Sequence, residues 1–166
     1  FKRIIDMGHE SILIFAGDGP ERGRLEEIVE KMELTNKVIF TGNISRYVLL
    51  TLYQICDLFI MISSRRGETF GIVYIEAMAC RKPVIGSNFS AIPEVIKDGK
   101  TGLLVNPYSI DECTEAINKI LTNDHFANTL AENAYQQVLK KFSVEIMARN
   151  TVSGLLRKKF DAILEI

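Results

Sequence analysis

The stretch DLFIMISSRRGETFGIVYIEAMACRKPVIGS, residues 57–87, decides the fold because it combines strand, loop, helix and strand signals in that order. The apolar run 58–62 is typical of a buried strand, and residues 71–80 have the length and composition of a helix that ends before Pro83. Residues 83–86 then open another strand. A helix that joins two strands is a βαβ unit, and this unit predicts a parallel sheet.

The same alternation extends over the rest of the chain. Apolar runs predict strands at 12–16, 37–41, 58–62, 83–86 and 103–105, and helical spacing predicts helices at 1–7, 24–34, 46–56, 71–80, 93–97, 109–122, 125–141 and 143–163. The strands are near-continuous apolar runs, as expected for parallel strands covered on both faces. Residues 1–166 are therefore interpreted as a single domain of the α/β class, a Rossmann-like parallel sheet with helices on both faces.

The composition disfavours several classes of protein. The 166 residues are 47% hydrophobic and 25% charged with a net charge of −1, a globular balance that gives no long-range attraction to nucleic acid. No apolar run has the length of a membrane span, and no leader resembles a signal peptide. We expect a cytoplasmic protein. The basic residues at 140–141 and 157–159 leave peripheral contact with a membrane surface as a minor alternative.

The residues most often used as metal ligands are scattered. Cys56, Cys80 and Cys113 are odd in number, widely separated and set in apolar segments, so we expect buried free thiols in a reducing compartment. His9 and His125 are isolated in the sequence. We therefore predict no metal site.

The loop 63–71 and the helix after it have the chemistry of a phosphate and sugar site. The first backbone N–H groups of a helix lack internal acceptors and attract anions, and Gly71 has no side chain to obstruct a ligand. Glu76, on the helix, offers two oxygens to a vicinal diol such as that of ribose. Glu68, on the loop, is placed to reach a second polyhydroxyl group. A pair of solvated glutamates is the alternative, although a charge among apolar neighbours needs partners.

Glu68 to Ala79 (ETFGIVYIEAMA) resembles the Glu-x7-Glu motif of retaining GT-B glycosyltransferases of the group 1, or family 4, type. The resemblance covers nearly the whole chain, because further segments match that family in order: AGDGPER (16–22), VIFTGNI (38–44), DLFIMISS (57–64), KPVIGS (82–87), IPEVIKDGKTGLLVNP (92–107) and FSVE (142–145). Several ordered motifs are far more specific than one short match.

The resemblance implies transfer of a hexose from a nucleotide diphosphate sugar with retention at the anomeric carbon. It implies that Glu68 is the catalytic residue and contacts the transferred sugar, and that Glu76 binds the ribose. The remaining implied donor-binding residues are Phe70, Gly71, Ile72 and Val73, through their backbone amides, and Gly42 and Ile44, which line the base pocket. No metal or other cofactor is implied, since amides and basic side chains stabilise the leaving diphosphate.

The resemblance also implies that this chain is the C-terminal, donor-binding half of a longer enzyme. Its N-terminal acceptor domain is then the partner, and the isolated chain is expected to be inactive. The family's first strand, which is followed by an Arg and a Lys that neutralise the diphosphate, would precede Phe1. In the sheet order 3-2-1-4-5-6 this strand is central, so strand 12–16 should be separated from strand 58–62.

Ser90-Ala91 stands where the family often has two glycines, so the backbone of that loop is expected to differ. A nucleotide-sugar-binding or scaffold module without activity of its own is the alternative function. The sequence does not identify the base, the sugar or the acceptor.

Overall fold

A computed structural model describes residues 1–64, 71–143 and Ile146. The elements in chain order are α1 (Lys2–Asp6), β1 (Leu13–Phe15), α2 (Arg22–Lys31), β2 (Val38–Phe40), α3 (Arg46–Ile55), β3 (Phe59–Met61), α4 (Ile72–Ala79), β4 (Val84–Ser87), α5 (Ile92–Val95), β5 (Leu103–Val105), α6 (Ile110–Leu121) and α7 (Asp124–Lys141), with a 3-10 turn at Thr35–Lys37. All five predicted strands are confirmed, within a residue or so at their ends. Most of the predicted helix 143–163 lies outside the described residues.

The described strands form two parallel sheets. In one sheet β1 pairs with β2, and Leu13 lies opposite Val38. In the other, β3 pairs with β4 and β4 with β5, all in parallel. No pairing joins β1 to β3 in the described part of the chain. The predicted separation of strand 12–16 from strand 58–62 is therefore confirmed.

The sheet formed by β3, β4 and β5 is covered on both faces. Val84 is fully buried in a cluster with residues of α4, α5 and α7, whereas its neighbour Ile85 is buried in a second cluster with Ala116 and Ile120 of α6. Successive side chains of a strand point to opposite faces. The continuous apolar sequence of β4 thus serves two layers of helices, as an α/β fold requires.

The sheet formed by β1 and β2 is only partly covered. The rings of Phe15 and Phe40 stack on one face at a centroid distance of 5.0 Å. Their neighbours on the opposite face, Ile14 and Ile39, remain 38% and 50% exposed. These two positions differ from the expectation for strands covered on both faces, because no described element covers this face fully.

Three helices begin at side-chain caps. Ser45, Ser109 and Asn123 precede α3, α6 and α7, and each side-chain oxygen accepts a hydrogen bond from the backbone N–H three residues later, at 3.3, 3.2 and 2.9 Å. Such a cap satisfies an N–H group that has no partner inside the helix. For α3 the cap fixes the direction in which the helix leaves the carboxyl end of β2.

Candidate functional site

The start of α4 requires glycine for two separate reasons. Gly71 caps this helix with φ 66° and ψ 47°, a left-handed conformation that side chains disfavour. A Cβ atom at this position would lie 2.6 Å from Cδ2 of Tyr74 and 3.1 Å from Cδ1 of Ile92. Residue 71 therefore carries no side chain, because a larger residue would collide with Tyr74 and Ile92.

Tyr74 fixes α4 to the end of β3. Its side chain is fully buried, and its hydroxyl donates a hydrogen bond to the carbonyl oxygen of Met61. Its ring also packs edge-to-face on Phe59 at a centroid distance of 5.7 Å. The backbone N–H groups of Ile72 and Val73, which lie in the first turn and have no acceptor within the helix, are thus held at the carboxyl end of the sheet.

Glu76 lies one turn further along α4 and has a partner on each carboxylate oxygen. Its side chain is 16% exposed, and Oε1 lies 3.0 Å from Nη2 of Arg46. Oε2 accepts a hydrogen bond from the hydroxyl of Tyr53 at 3.3 Å. Each oxygen has two lone pairs, so the carboxylate keeps acceptor capacity for a ligand diol.

The two partners of Glu76 were not among the residues predicted from the sequence. Arg46 and Tyr53 are seven residues apart on α3, a spacing that puts both on one face of the helix. The requirement for partners could be predicted from a carboxylate among apolar residues. Their identity could not, because it depends on how α3 packs on α4.

Tyr53 is held firmly and remains a hydrogen-bond donor. The residue is 3% exposed, and its ring packs edge-to-face on Phe59 at 5.5 Å. Burial raises the pKa of the Tyr53 hydroxyl well above its ordinary value of 10.0, and the adjacent carboxylate of Glu76 raises this pKa further. The hydroxyl therefore stays protonated and donates to Glu76 throughout the physiological pH range.

The loop after β2, which contains the predicted base-pocket residues, lies close to Glu76. Gly42 is buried with φ 65°, and a Cβ atom there would lie 3.1 Å from Nη1 of Arg22. Ile44 is half-buried and stands two residues before Arg46, which contacts Glu76. Arg46 thus connects the start of α3, which follows the predicted base-pocket residues, with the predicted ribose position on α4.

The loop after β4 retains a backbone shape that glycine favours. Ser90 has φ 54°, in the left-handed region, although it is not a glycine. This is where the sequence carries Ser90-Ala91 in place of a glycine pair. The hydroxyl of Ser87, at the end of β4, accepts a hydrogen bond from the N–H of Ser63 at 2.7 Å and joins the ends of β3 and β4.

The predicted site residues fall into two groups. Glu68 and Phe70 lie outside the described residues, as do the nearby Arg65 and Arg66. The described members lie on the start of α4 and on the loop after β2: Gly71, Ile72, Val73, Glu76, Gly42 and Ile44. The side chain of Val73 packs against the core and that of Ile72 is exposed, so a ligand would meet mainly their backbone amides.

A separate surface cleft lies between α1 and α6 and contains none of these residues. It is lined by Arg3, Asp6, Met7, Asp111, Thr114 and Glu115. Three carboxylates face a single guanidinium that is already paired with Asp111. This charge balance disfavours an anionic ligand, so the cleft is a poor alternative site for a phosphate.

Residues 1–64 and 71–143 contain neither a membrane-spanning helix nor a cluster of metal ligands. No helix in these ranges is long and apolar enough to cross a membrane. No group of three or more His, Cys, Asp or Glu side chains there is arranged to hold a metal ion.

Residues 1–137 match the sequence model of the family described as "Glycosyl transferases group 1". The chain is 29% identical over 151 residues to alpha-D-kanosaminyltransferase of Streptomyces kanamyceticus, covering 91% of this chain and 38% of that protein. It is 32% identical over 119 residues to a GDP-mannose-dependent alpha-(1-6)-phosphatidylinositol monomannoside mannosyltransferase of Mycolicibacterium smegmatis, covering 69% of this chain and 31% of that protein.

A solved structure has the same fold. The crystal structure of the Anabaena protein HepE in complex with UDP superposes with a TM-score of 0.79 at 28% identity, covering 89% of this chain and 41% of that one. The chain therefore spans about two fifths, or less, of the length of each of these three proteins.

Proposed function

Because this chain belongs to the group 1 glycosyltransferases, we propose that it binds the nucleotide diphosphate sugar donor of a hexosyltransferase that acts with retention at the anomeric carbon. The observation that carries the proposal is the pairing of two features on α4. The helix begins at Gly71, where the packing of Tyr74 and Ile92 admits no larger residue, and Glu76, with both oxygens partly engaged, lies one turn further on.

The distance between these two features along α4 suits a diphosphate and the ribose attached to it. Ile72 and Glu76 are four residues apart on α4, a rise of about 6 Å at 1.5 Å per residue. The amides of Ile72 and Val73 would bind the diphosphate, because the start of a helix carries partial positive charge. Glu76 would accept hydrogen bonds from the ribose hydroxyls, and Glu68, which precedes α4 in the sequence, would contact the transferred sugar.

The base would lie against the loop after β2, where Gly42 and Ile44 are placed. Ile44 offers apolar contact and backbone groups, which do not by themselves select one base. HepE was solved with UDP, and the mycobacterial relative is named as GDP-mannose-dependent. We therefore propose a UDP-sugar or a GDP-sugar as the donor.

Acceptor binding is assigned to another part of the enzyme. The chain spans about two fifths of the length of its relatives, and β1 and β3 do not pair in the described residues. We propose that an N-terminal domain of the same protein binds the acceptor and that this chain alone does not complete a transfer. The second candidate function is a donor-binding or scaffold module without activity of its own.

A binding screen of the intact protein tests the donor proposal. UDP-glucose, GDP-mannose and ADP-glucose are titrated by calorimetry, with glucose 1-phosphate as the control that lacks a nucleoside. We expect one nucleotide sugar to bind at least about tenfold more tightly than glucose 1-phosphate, as the contacts of base and ribose imply. Absence of binding by all three would contradict the proposal.

Measurement of the rate of sugar transfer distinguishes an active enzyme from an inactive module. The same measurement tests whether Glu68 contacts the transferred sugar. Glu68→Ala is expected to lower the rate of sugar transfer more than it lowers the affinity for the nucleoside diphosphate, since the diphosphate lacks the sugar. Equal loss of both would argue against a contact with the transferred sugar. An intact protein that binds the donor without hydrolysing or transferring it would favour the module.

A further inference from the structure

Glu76 is contacted from two sides that differ in burial. Tyr53, on one side, is 3% exposed, whereas the side chain of Arg46, on the other, is 76% exposed. Both come from α3 and each meets a different carboxylate oxygen. The two contacts can therefore respond differently when a ligand approaches from solvent.

The contact on the buried side is fixed by the core. The ring of Tyr53 packs on Phe59 and belongs to the same core cluster as Ala77 and Met78 of α4. Moving the hydroxyl away from Glu76 would require moving this ring within a close-packed interior. Its single proton is directed at Oε2, so Tyr53 restricts the rotation of the carboxylate and leaves Oε1 facing the opposite side.

The contact on the exposed side is easily exchanged. Arg46 is the first residue of α3 and is largely surrounded by water, and exposed ion pairs of this kind contribute little net stability. A hydroxyl that donates to Oε1 would replace the ion pair with the guanidinium by a hydrogen bond. The released guanidinium would be solvated at no large cost.

We propose that Tyr53 is a positioning residue for the ribose-binding carboxylate of Glu76, and that Arg46 is an exchangeable partner which the ribose hydroxyls replace at Oε1. This inference rests on the proposed role of Glu76. In the ligand-free protein Arg46 keeps the carboxylate paired, and Tyr53 keeps it oriented in both states. Neither residue belongs to the Glu-x7-Glu segment.

The test measures the contribution of the ribose hydroxyls alone. Dissociation constants of the intact protein are measured for UDP, GDP and ADP, and then for the 2′,3′-dideoxy analogue of the tightest binder. The ratio of the two constants, analogue over ribonucleotide, reports the hydroxyl contacts. Any attraction of Arg46 for the diphosphate cancels in this ratio, because both ligands carry the same diphosphate.

Tyr53→Phe removes the hydroxyl and keeps the ring in the core. We expect this ratio to fall by about 3- to 10-fold, the equivalent of one hydrogen bond. Tyr135→Phe, on α7, is the matched control and should leave the ratio unchanged. A purely structural role of Tyr53 would alter both dissociation constants together, so a ratio equal to that of the wild type would overturn the positioning role.

Arg46→Ala removes the exchangeable partner. We expect the ratio to rise by about 2- to 5-fold, because the ribose no longer displaces a competitor. Arg24→Ala is the control: its side chain is also 76% exposed and pairs with Glu21 at 3.2 Å. A ratio that falls in Arg46→Ala would overturn the exchange, since it would mean that Arg46 orients the carboxylate for the ribose.

Failure of the underlying function gives a different result from failure of this inference. If the wild type binds none of the three nucleoside diphosphates, the donor-binding function is wrong and the inference falls with it. If the wild type binds ribonucleotide and dideoxy analogue equally, the ribose role of Glu76 is wrong. If the wild type binds the ribonucleotide more tightly than the dideoxy analogue, and Tyr53→Phe has the same ratio of dissociation constants as the wild type, only the positioning role of Tyr53 is wrong.

Discussion

A Cβ atom added to Gly71 would lie 2.6 Å from Cδ2 of Tyr74, the residue whose hydroxyl anchors α4 to β3. The side chain that fixes the direction of the helix therefore also excludes other residues from its start. A distance below 3.0 Å to a buried aromatic ring is not relieved without displacing the ring. The same packing that stabilises the fold therefore requires glycine at the residue that precedes the proposed diphosphate-binding amides.

Gly71→Ala is expected to destabilise the protein by about 2–4 kcal/mol, the sum of a left-handed backbone and an overpacked core. Gly99→Ala is the matched control, because Gly99 has the same φ of 66° with nothing within 4 Å of its added Cβ. The control should lose only about 1–2 kcal/mol. Urea denaturation measures both, and equal losses would show that contact with Tyr74 is unimportant.

Ser90→Gly is expected to stabilise the protein by a few tenths of a kcal/mol to about 1 kcal/mol. Ser90 has φ 54°, and glycine relieves the left-handed strain but loses more conformational entropy on folding. Glu33→Gly, at φ 58° after α2, should give a similar gain. If the strain at Ser90 instead holds a donor-facing loop in shape, Ser90→Gly alone will weaken nucleotide-sugar binding.

Ser45→Ala is expected to cost about 1 kcal/mol of stability and, because it loosens the contact of Arg46 with Glu76, to strengthen the ribose contribution to nucleotide binding. The hydroxyl of Ser45 caps α3, whose first residue, Arg46, contacts Glu76. Ser109→Ala removes an equivalent cap from α6 and should cost a similar free energy. Calorimetry of nucleotide binding separates the two, since only the Ser45 variant should change affinity. An equal change in both would contradict a specific role for the start of α3.

The three thiols are half-buried, and not fully buried as the sequence predicted, and they are expected to react slowly in the folded protein. Burial raises the pKa of Cys56, Cys80 and Cys113 above the ordinary value of 9.0, so each holds its proton to higher pH than in the unfolded chain. Their contribution to stability is therefore full below pH 9 and is lost as pH rises through the raised pKa.

Alkylation by iodoacetamide at pH 8, followed peptide by peptide, checks this expectation. Each cysteine should react several-fold more slowly in the native protein than in urea, since the thiolate is the reactive form. Equal alkylation rates in the native and the unfolded protein at all three cysteines would show that the thiols are accessible and that their pKa values are not raised.

The strands were predictable because their sequence signal is local. The strand predicted at 103–105 matches β5 (Leu103–Val105) at both ends. A short apolar run between turn residues is enough to locate a buried strand in the sequence. The separation of β1 from β3 was also predictable, but from the family's strand order and not from periodicity. The exposure of Ile14 and Ile39 could not be predicted, because an apolar residue does not indicate which element covers it.

The site was predictable only in part, for a related reason. A glycine before a helix and a glutamate one turn into it can be read from the sequence, and so can the need for partners around that glutamate. Arg46 and Tyr53 became partners of Glu76 only through the packing of α3 on α4. Sequence patterns describe each element well, whereas contacts between elements depend on the whole arrangement.

Substitution of Glu76 shows whether this carboxylate binds the ribose. Glu76→Gln keeps the size of the side chain and removes its charge, so the affinity of the intact protein for its nucleoside diphosphate should fall by about 10- to 100-fold, the value of hydrogen bonds to a charged group. Glu132→Gln is the control, since Glu132 pairs with Arg81 at 3.1 Å on another surface. A Glu76→Gln protein that is folded and binds the nucleotide as tightly as the wild type would contradict the account.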